Sequence, residues 1–99
     1  MHSNLEQQIT EERARIVVLD SSLDANKTPY LKGQLRFALH SLDDAGDGLV
    51  HAAKADSKWG ATWLDFAATN IQIAVQLRQK VQAVVDKFGG PQQIKEVGG

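Results

Sequence analysis

Ninety-nine residues, 42% of them hydrophobic, bound the chain to a single domain, 1–99, able to bury roughly 60–70% of the surface its unfolded form exposes. The absence of cysteine excludes a disulfide framework, a thiolate metal site and a thiol nucleophile, and agrees with a reducing compartment. Eleven Lys and Arg stand against twelve Asp and Glu, for a net charge of −1, and the basic residues are scattered; a nucleic-acid partner, whose phosphates call for clustered Lys and Arg, is not expected. Lys27, Lys32 and Arg36 form the one small positive patch, a thin footprint for a phosphate.

No repeat or long linker divides the chain, the first 25 residues hold no apolar run of signal-peptide length, and no stretch approaches the ~18–20 apolar residues of a membrane span. The expectation is a cytoplasmic, soluble protein that does not engage a membrane. The first helix, about 3–24, opens on Ser3 followed by Glu6, a capping-box spacing in which each side chain can satisfy an orphan amide. Leu5, Ile9, Ile16, Leu19 and Leu23 continue at heptad intervals, with Glu12 in the one polar place of the seam. Ile16-Val17-Val18-Leu19 also suits a short buried strand, but no second strand candidate exists to pair with it.

Asp24 to Lys27 make a turn, and Thr28-Pro29 restart the chain as N-cap and first helical residue of a second helix, about 28–56. Leu31, Leu35, Ala38, Leu42, Ala45, Leu49 and Ala52 keep an unbroken 4-3 spacing. That register carries the helix through Gly46 and Gly48, although each glycine costs up to about 1 kcal/mol relative to alanine. The alternative is a break near Asp43 to Gly48. Small residues along this helix, Ala38, Ala45 and Ala52 among them, allow close approach of a neighbour.

Asp56 to Gly60 form the second turn, and a third helix, about 60–88, ends at Gly89, Gly90 and Pro91. On a helical wheel Trp63, Phe66, Ile73, Leu77, Val81, Val84 and Phe88 share one face; Leu64, Ala67, Ile71, Ala74, Val75 and Val85 widen it to an apolar arc of roughly 220°, about twice what a surface helix needs. Such a helix has to be covered on most sides, by its own chain or by a second one. The segment 89–99 is expected to be a short, loosely ordered tail. Three long helices with short turns imply an all-α, up-down-up bundle of antiparallel neighbours, completed by dimerisation.

Asn70 and Arg78 interrupt the apolar face of the third helix, where a polar side chain is costly unless paired. Up-down-up topology places Glu12 at about the height of residue 74, so Glu12 is expected to pair with Arg78 or Asn70. Tyr30 and Phe37, one heptad apart and displaced from the seam, are expected to anchor an interface. With Trp63, Phe66, Asn70, Ile73, Leu77, Arg78 and Val81 they make up the expected self-association surface. Trp59 and Trp63 are expected to cap one end of the core.

His40, Asp44, Asp47 and His51 follow one another at spacings of 4, 3 and 4, which puts them on one helical face opposite the leucine seam. Two imidazoles and two carboxylates in line suit a divalent transition metal. A solvated face of ordinary i, i+4 pairs is the preferred reading, so no metal and no cofactor is expected. Asp43, Ala45, Asp47 and Gly48 fail as a calcium loop, because the third position lacks an oxygen and the twelfth is Lys54 rather than Glu. His51-Ala52-Ala53-Lys54, with Gly60 beyond, resembles the phospho-accepting segment of histidine-phosphotransfer domains. The resemblance covers about ten residues and implies His51 as phosphate acceptor and Lys54 as the charge that stabilises phosphohistidine. It departs from the family at Ala55, where glycine is usual, and in the little chain that follows Phe88 for the usual fourth helix. Ala74 to Val81 is similar to the terminal helix of flagellar and type III secretion rod proteins, a generic amphipathic pattern that assigns no residue a role.

No Ser-His-Asp grouping, glycine-rich phosphate loop or paired-carboxylate pocket is recognisable in the sequence. The function expected is therefore a non-catalytic helical interaction module, an adaptor, small regulator or assembly subunit, that forms a homodimer. The competing classes are a phosphotransfer module centred on His51 and a ligand- or metal-binding bundle using the His40–His51 face.

Overall fold

The structure, a computed structural model, describes residues 3–96, without the side chains of Ser3 and Ser57. It is all-helical among those residues: α1 (Ser3–Ser22), α2 (Pro29–Lys54), α3 (Ser57–Lys87) and a single 3-10 turn (Pro91–Gln93). The strand alternative at 16–19 is thereby excluded, and α2 runs unbroken through Gly46 and Gly48. None of these helices is long and apolar enough to cross a membrane.

Each helix contributes one 4-3 seam to a common core. α1 brings Ile16, Leu19 and Leu23, with Leu5 and Ile9 partly buried; α2 brings Leu31, Leu35, Ala38, Leu42, Ala45 and Leu49; α3 brings Ala67, Ile71, Ala74, Val81 and Val85. Fully burying a side chain such as Ile16, Leu35 or Leu42 contributes about 1.5–3 kcal/mol. The pairings between helices follow a regular order. Along α1 and α2, Asp20 meets Lys32 and Arg13 meets Asp43; along α2 and α3, Gly48 lies against Phe66 and His51 against Trp63.

The third seam differs from the one the wheel favoured. Phe66, Ile73 and Phe88, three of the seven residues of the expected apolar face, are exposed, and Val84 is half-buried, whereas the line Ala67, Ile71, Ala74, Val81, Val85 is buried. Small side chains explain the rotation. Ala38, Ala45, Gly48 and Ala52 on α2 with Ala67 and Ala74 on α3 bring the two backbones together, and a Cβ added at Gly48 would lie 2.9 Å from the Phe66 ring and 3.3 Å from the Trp63 carbonyl.

Two helix starts differ from the expected ones. α3 begins at Ser57, upstream of Gly60, because the Asp56 carboxylate accepts a hydrogen bond from the Trp59 amide at 3.1 Å. Thr28 occupies the N-cap place of α2 but does not cap it: its buried hydroxyl donates back to the Asp24 carbonyl at 2.7 Å. The Ser3–Glu6 capping box depends on a side chain outside the described residues.

The segment 89–96 turns back onto the helices; residues 97–99 of the tail lie outside the described residues. Gly89 and Gly90 turn the chain with φ of 84° and 142°, a conformation that favours glycine, and the Gly90 amide donates to the Val85 carbonyl at 3.0 Å. Ile94 then buries its side chain to 3% exposure beside Leu31 and Val84. Glu96 supplies the missing cap of α2, its carboxylate accepting from the amides of Tyr30 at 2.8 Å and Leu31 at 2.9 Å, where the helix dipole also favours a negative charge.

Candidate functional site

Arg78 and Glu12 sit in facing seams, and the guanidinium donates from Nε to the Glu12 carboxylate. Glu12 is 2% exposed, so this pair lies inside the bundle, with Arg15 reaching the other carboxylate oxygen at 3.8 Å. Asn70 takes no part; its side-chain amide donates to the Phe66 carbonyl of its own helix at 3.0 Å. Of the residues expected at an interface, Arg78 is engaged with Glu12 on the α1 side, and Val81 is 1% exposed among the core residues. The Glu12–Arg78 pair ties α1 to α3.

The remaining expected interface residues do come together. Among the described residues grooves run between the helices: Arg15, Val18 and Ser22 face Arg78, Gln82 and Val85 across the α1–α3 groove, Ile9 faces Gly46, Leu49 and Val50 across the α1–α2 groove, and Gln34 faces Leu77 and Lys80 across the α2–α3 groove. The third groove lies on the side of α2 and α3 turned away from α1. Its rim carries two heptad lines, Tyr30, Phe37, Asp44 and His51 on α2, and Trp59, Phe66, Ile73 and Lys80 on α3. Tyr30 is 68% exposed and Phe37 61%; Phe66, Ile73 and Phe88 are exposed as well, with Trp63, Asn70 and Leu77 half-buried between them. Five exposed large apolar side chains on one long face are an uncommon feature for a bundle that works alone.

At one end of that face the rings are organised. Trp63 lies between His51, whose ring stacks on it at 4.5 Å between centroids, and Phe66, whose ring meets it edge-on at 5.6 Å. Trp59 does not cap the core as expected: it is exposed, with the Lys58 ammonium 5.9 Å above its ring.

The histidine face is not a preformed centre. His40, Asp44, Asp47, His51 and Lys54 are all exposed, and no group of three His, Asp or Glu among the described residues is arranged to hold a metal ion. His51 is instead held flat against Trp63. The small basic patch is also broken up, because Lys32 turns to α1 and donates to the carbonyls of Asp20 at 2.8 Å and Leu23 at 3.3 Å, satisfying the C-terminal end of that helix. Thr10, Ser21, Ser22 and Thr28 all direct their hydroxyls to backbone carbonyls rather than to a base.

The sequence reading missed the tail. Ile94, Glu96 and Gln92, whose side-chain amide donates to the Ser22 carbonyl at 3.3 Å, fasten the α1–α2 turn. The only sequence signal for this was Ile94, a lone apolar residue after the glycine turn. Comparison with protein-family models, with curated proteins and with solved structures finds no match for this chain.

Proposed function

We propose that this protein is a non-catalytic interaction module, an adaptor, small regulator or assembly subunit, that acts as an up-down-up antiparallel bundle and self-associates. The single observation that carries the reading is the long apolar face of α2 and α3 with Tyr30, Phe37, Phe66 and Ile73 exposed on it. Grouped, solvent-facing aromatic residues are the usual anchors of a protein interface. The antiparallel arrangement is supported by the order of the pairings, in which Asp20 with Lys32 and Arg13 with Asp43 run in opposite senses along α1 and α2, as do Gly48 with Phe66 and His51 with Trp63 along α2 and α3. A net charge of −1 suits a protein partner better than nucleic acid, and a cysteine-free chain suits a reducing compartment such as the cytoplasm.

Sedimentation velocity over about a hundredfold concentration range tests self-association directly, since mass action makes a dimer concentration-dependent. A dimer is expected; a single monomeric species throughout would overturn it. Transfer of a phosphate label to His51 from a phosphorylated response regulator would overturn the non-catalytic part.

A further inference from the structure

We infer that the occupant of the α2–α3 face is a second copy of this chain lying head to tail on the first, with the twofold axis perpendicular to the helices. This rests on the self-association proposed above and adds the surface, the direction and the residues that set it. The observation is a polarity of charge along the face. Arg36, Lys80 and Lys87 gather toward the Tyr30–Phe88 end, against Asp86; Asp44, Asp47 and Asp65 gather toward the Trp63 end, with Lys54 and Lys58 beyond them at the turn. Arg36, Lys80, Lys87, Asp44, Asp47 and Asp65 are all exposed, and none has an ion-pair partner among the described residues. A parallel dimer would set basic end on basic end. A head-to-tail dimer sets each basic end on the partner's acidic end, twice by symmetry.

The apolar residues fit the same operation. Gln34 shares a groove with Lys80 and Tyr30 with Val84, while Gly48 meets Phe66 and His51 meets Trp63. Carrying the register of the Gly48–Phe66 and His51–Trp63 contacts along the two antiparallel helices puts Phe37 level with Leu77 and Asp44 level with Asn70. The levels of Lys80 and Asp44 are thus ten α2 residues apart, about 15 Å along the helix. An axis midway between them crosses within one helical turn of both Phe37 and Ile73, so that each lies against its own counterpart at the centre of the contact. Because this axis lays α2 on α2 and α3 on α3, Phe66 then falls against Val84 of the partner subunit, and Asp44 falls within one helical turn of the partner's Arg36. Large apolar anchors at the centre with charges toward the ends are the usual anatomy of a specific interface. A molecule measuring 50 × 22 × 17 Å has room on either long side for the roughly 800 Å² per partner that a stable complex covers.

Sedimentation velocity and small-angle scattering on the full chain test this, with circular dichroism confirming helix content. Phe37→Glu changes only a solvent-facing side chain and is expected to leave the fold intact while weakening the dimer more than about a hundredfold, the size of effect seen at interface centres. Asp44→Lys and Arg36→Glu are each expected to weaken it about tenfold, since symmetry counts each repulsion twice, and the double variant to return to within about threefold of wild type. A wild-type monomer would end the self-association reading itself. A wild-type dimer indifferent to Phe37→Glu would leave self-association standing and reject this face. Loss of the dimer in both single charge reversals with no recovery in the double variant would reject the head-to-tail direction alone.

Discussion

The joint between α2 and α3 and the joint that fastens α1 to them are built from different materials. α2 and α3 meet through Ala38, Ala45, Gly48, Ala52, Ala67 and Ala74, so the backbones lie close over most of their length. α1 is attached by three large apolar side chains, Ile16, Leu19 and Leu23, and by the buried Glu12–Arg78 pair. A joint of small residues spreads its contacts over many positions, and no single truncation removes much of it. A joint of a few large residues and one buried ion pair, with the Arg13–Asp43 and Lys32–Asp20 pairs more exposed, concentrates its free energy, and single substitutions there should be felt strongly.

The largest effect expected from that comparison comes from Arg78→Ala. It strands the Glu12 carboxylate in the core, a change that costs about 3–5 kcal/mol when one partner of a buried pair is removed. Urea unfolding measures the total, and hydrogen exchange should show the α1 amides losing protection well before those of the α2–α3 joint. Glu12→Leu with Arg78→Leu is expected to recover wild-type stability or better, because the desolvation of two charges disappears with their attraction. A loss below about 1 kcal/mol in Arg78→Ala would mean that Arg15 or water takes over the carboxylate and that the ion pair does not hold α1.

The tail reinforces the α1–α2 turn from outside, and its two contacts should separate by size. Ile94→Ala removes a buried side chain and is expected to cost roughly 2–4 kcal/mol by thermal or urea unfolding. Glu96→Gln keeps the shape but weakens the two hydrogen bonds to Tyr30 and Leu31 and the interaction with the helix dipole, for a loss of about 1 kcal/mol that shrinks as salt is raised. If Glu96→Gln matched Ile94→Ala, the cap rather than apolar burial would be what docks the segment.

These contrasts also mark how much the sequence makes legible. The 4-3 spacing of α1 and α2 identifies their buried lines directly, because only one face of each is apolar enough to be a core. The Glu12–Arg78 pair is legible too, since two charges in apolar seams at about the same height have little else to bond. The arc of α3 is not decidable in the same way. An apolar arc of roughly 220° exceeds what one neighbour can cover, and the choice between Phe66 and Ala67 as the inward position is made by how closely α2 approaches, a property of Gly48 and Ala45 on another helix. The Glu96 cap is further out of reach: its donors are 65 and 66 residues away in sequence, and nothing local to either end announces it. The histidine line is visible at regular spacing, but its meaning changes once His51 is seen stacked on Trp63.

The smallest effect is the most direct probe of the close joint, because it compares two glycines two residues apart in one helix. A Cβ at Gly46 meets nothing within 4 Å, so Gly46→Ala is expected to raise stability by the helix-propensity difference, up to about 1 kcal/mol. Gly48→Ala gains the same propensity but places its methyl 2.9 Å from the Phe66 ring and 3.3 Å from the Trp63 carbonyl. The half-exposed ring can swing outward; the carbonyl belongs to the α3 backbone and can yield only if the helices part by a few tenths of an ångström. Overpacking of this kind costs about 1–3 kcal/mol, which leaves Gly48→Ala at or below wild type and clearly below Gly46→Ala in paired urea titrations. Equal gains in the two variants would mean that α2 and α3 are not held at this spacing. The swing of Phe66 also alters the outer face, so Gly48→Ala should disturb association while Gly46→Ala leaves it unchanged, tying the closeness of the inner joint to the shape of the outer surface.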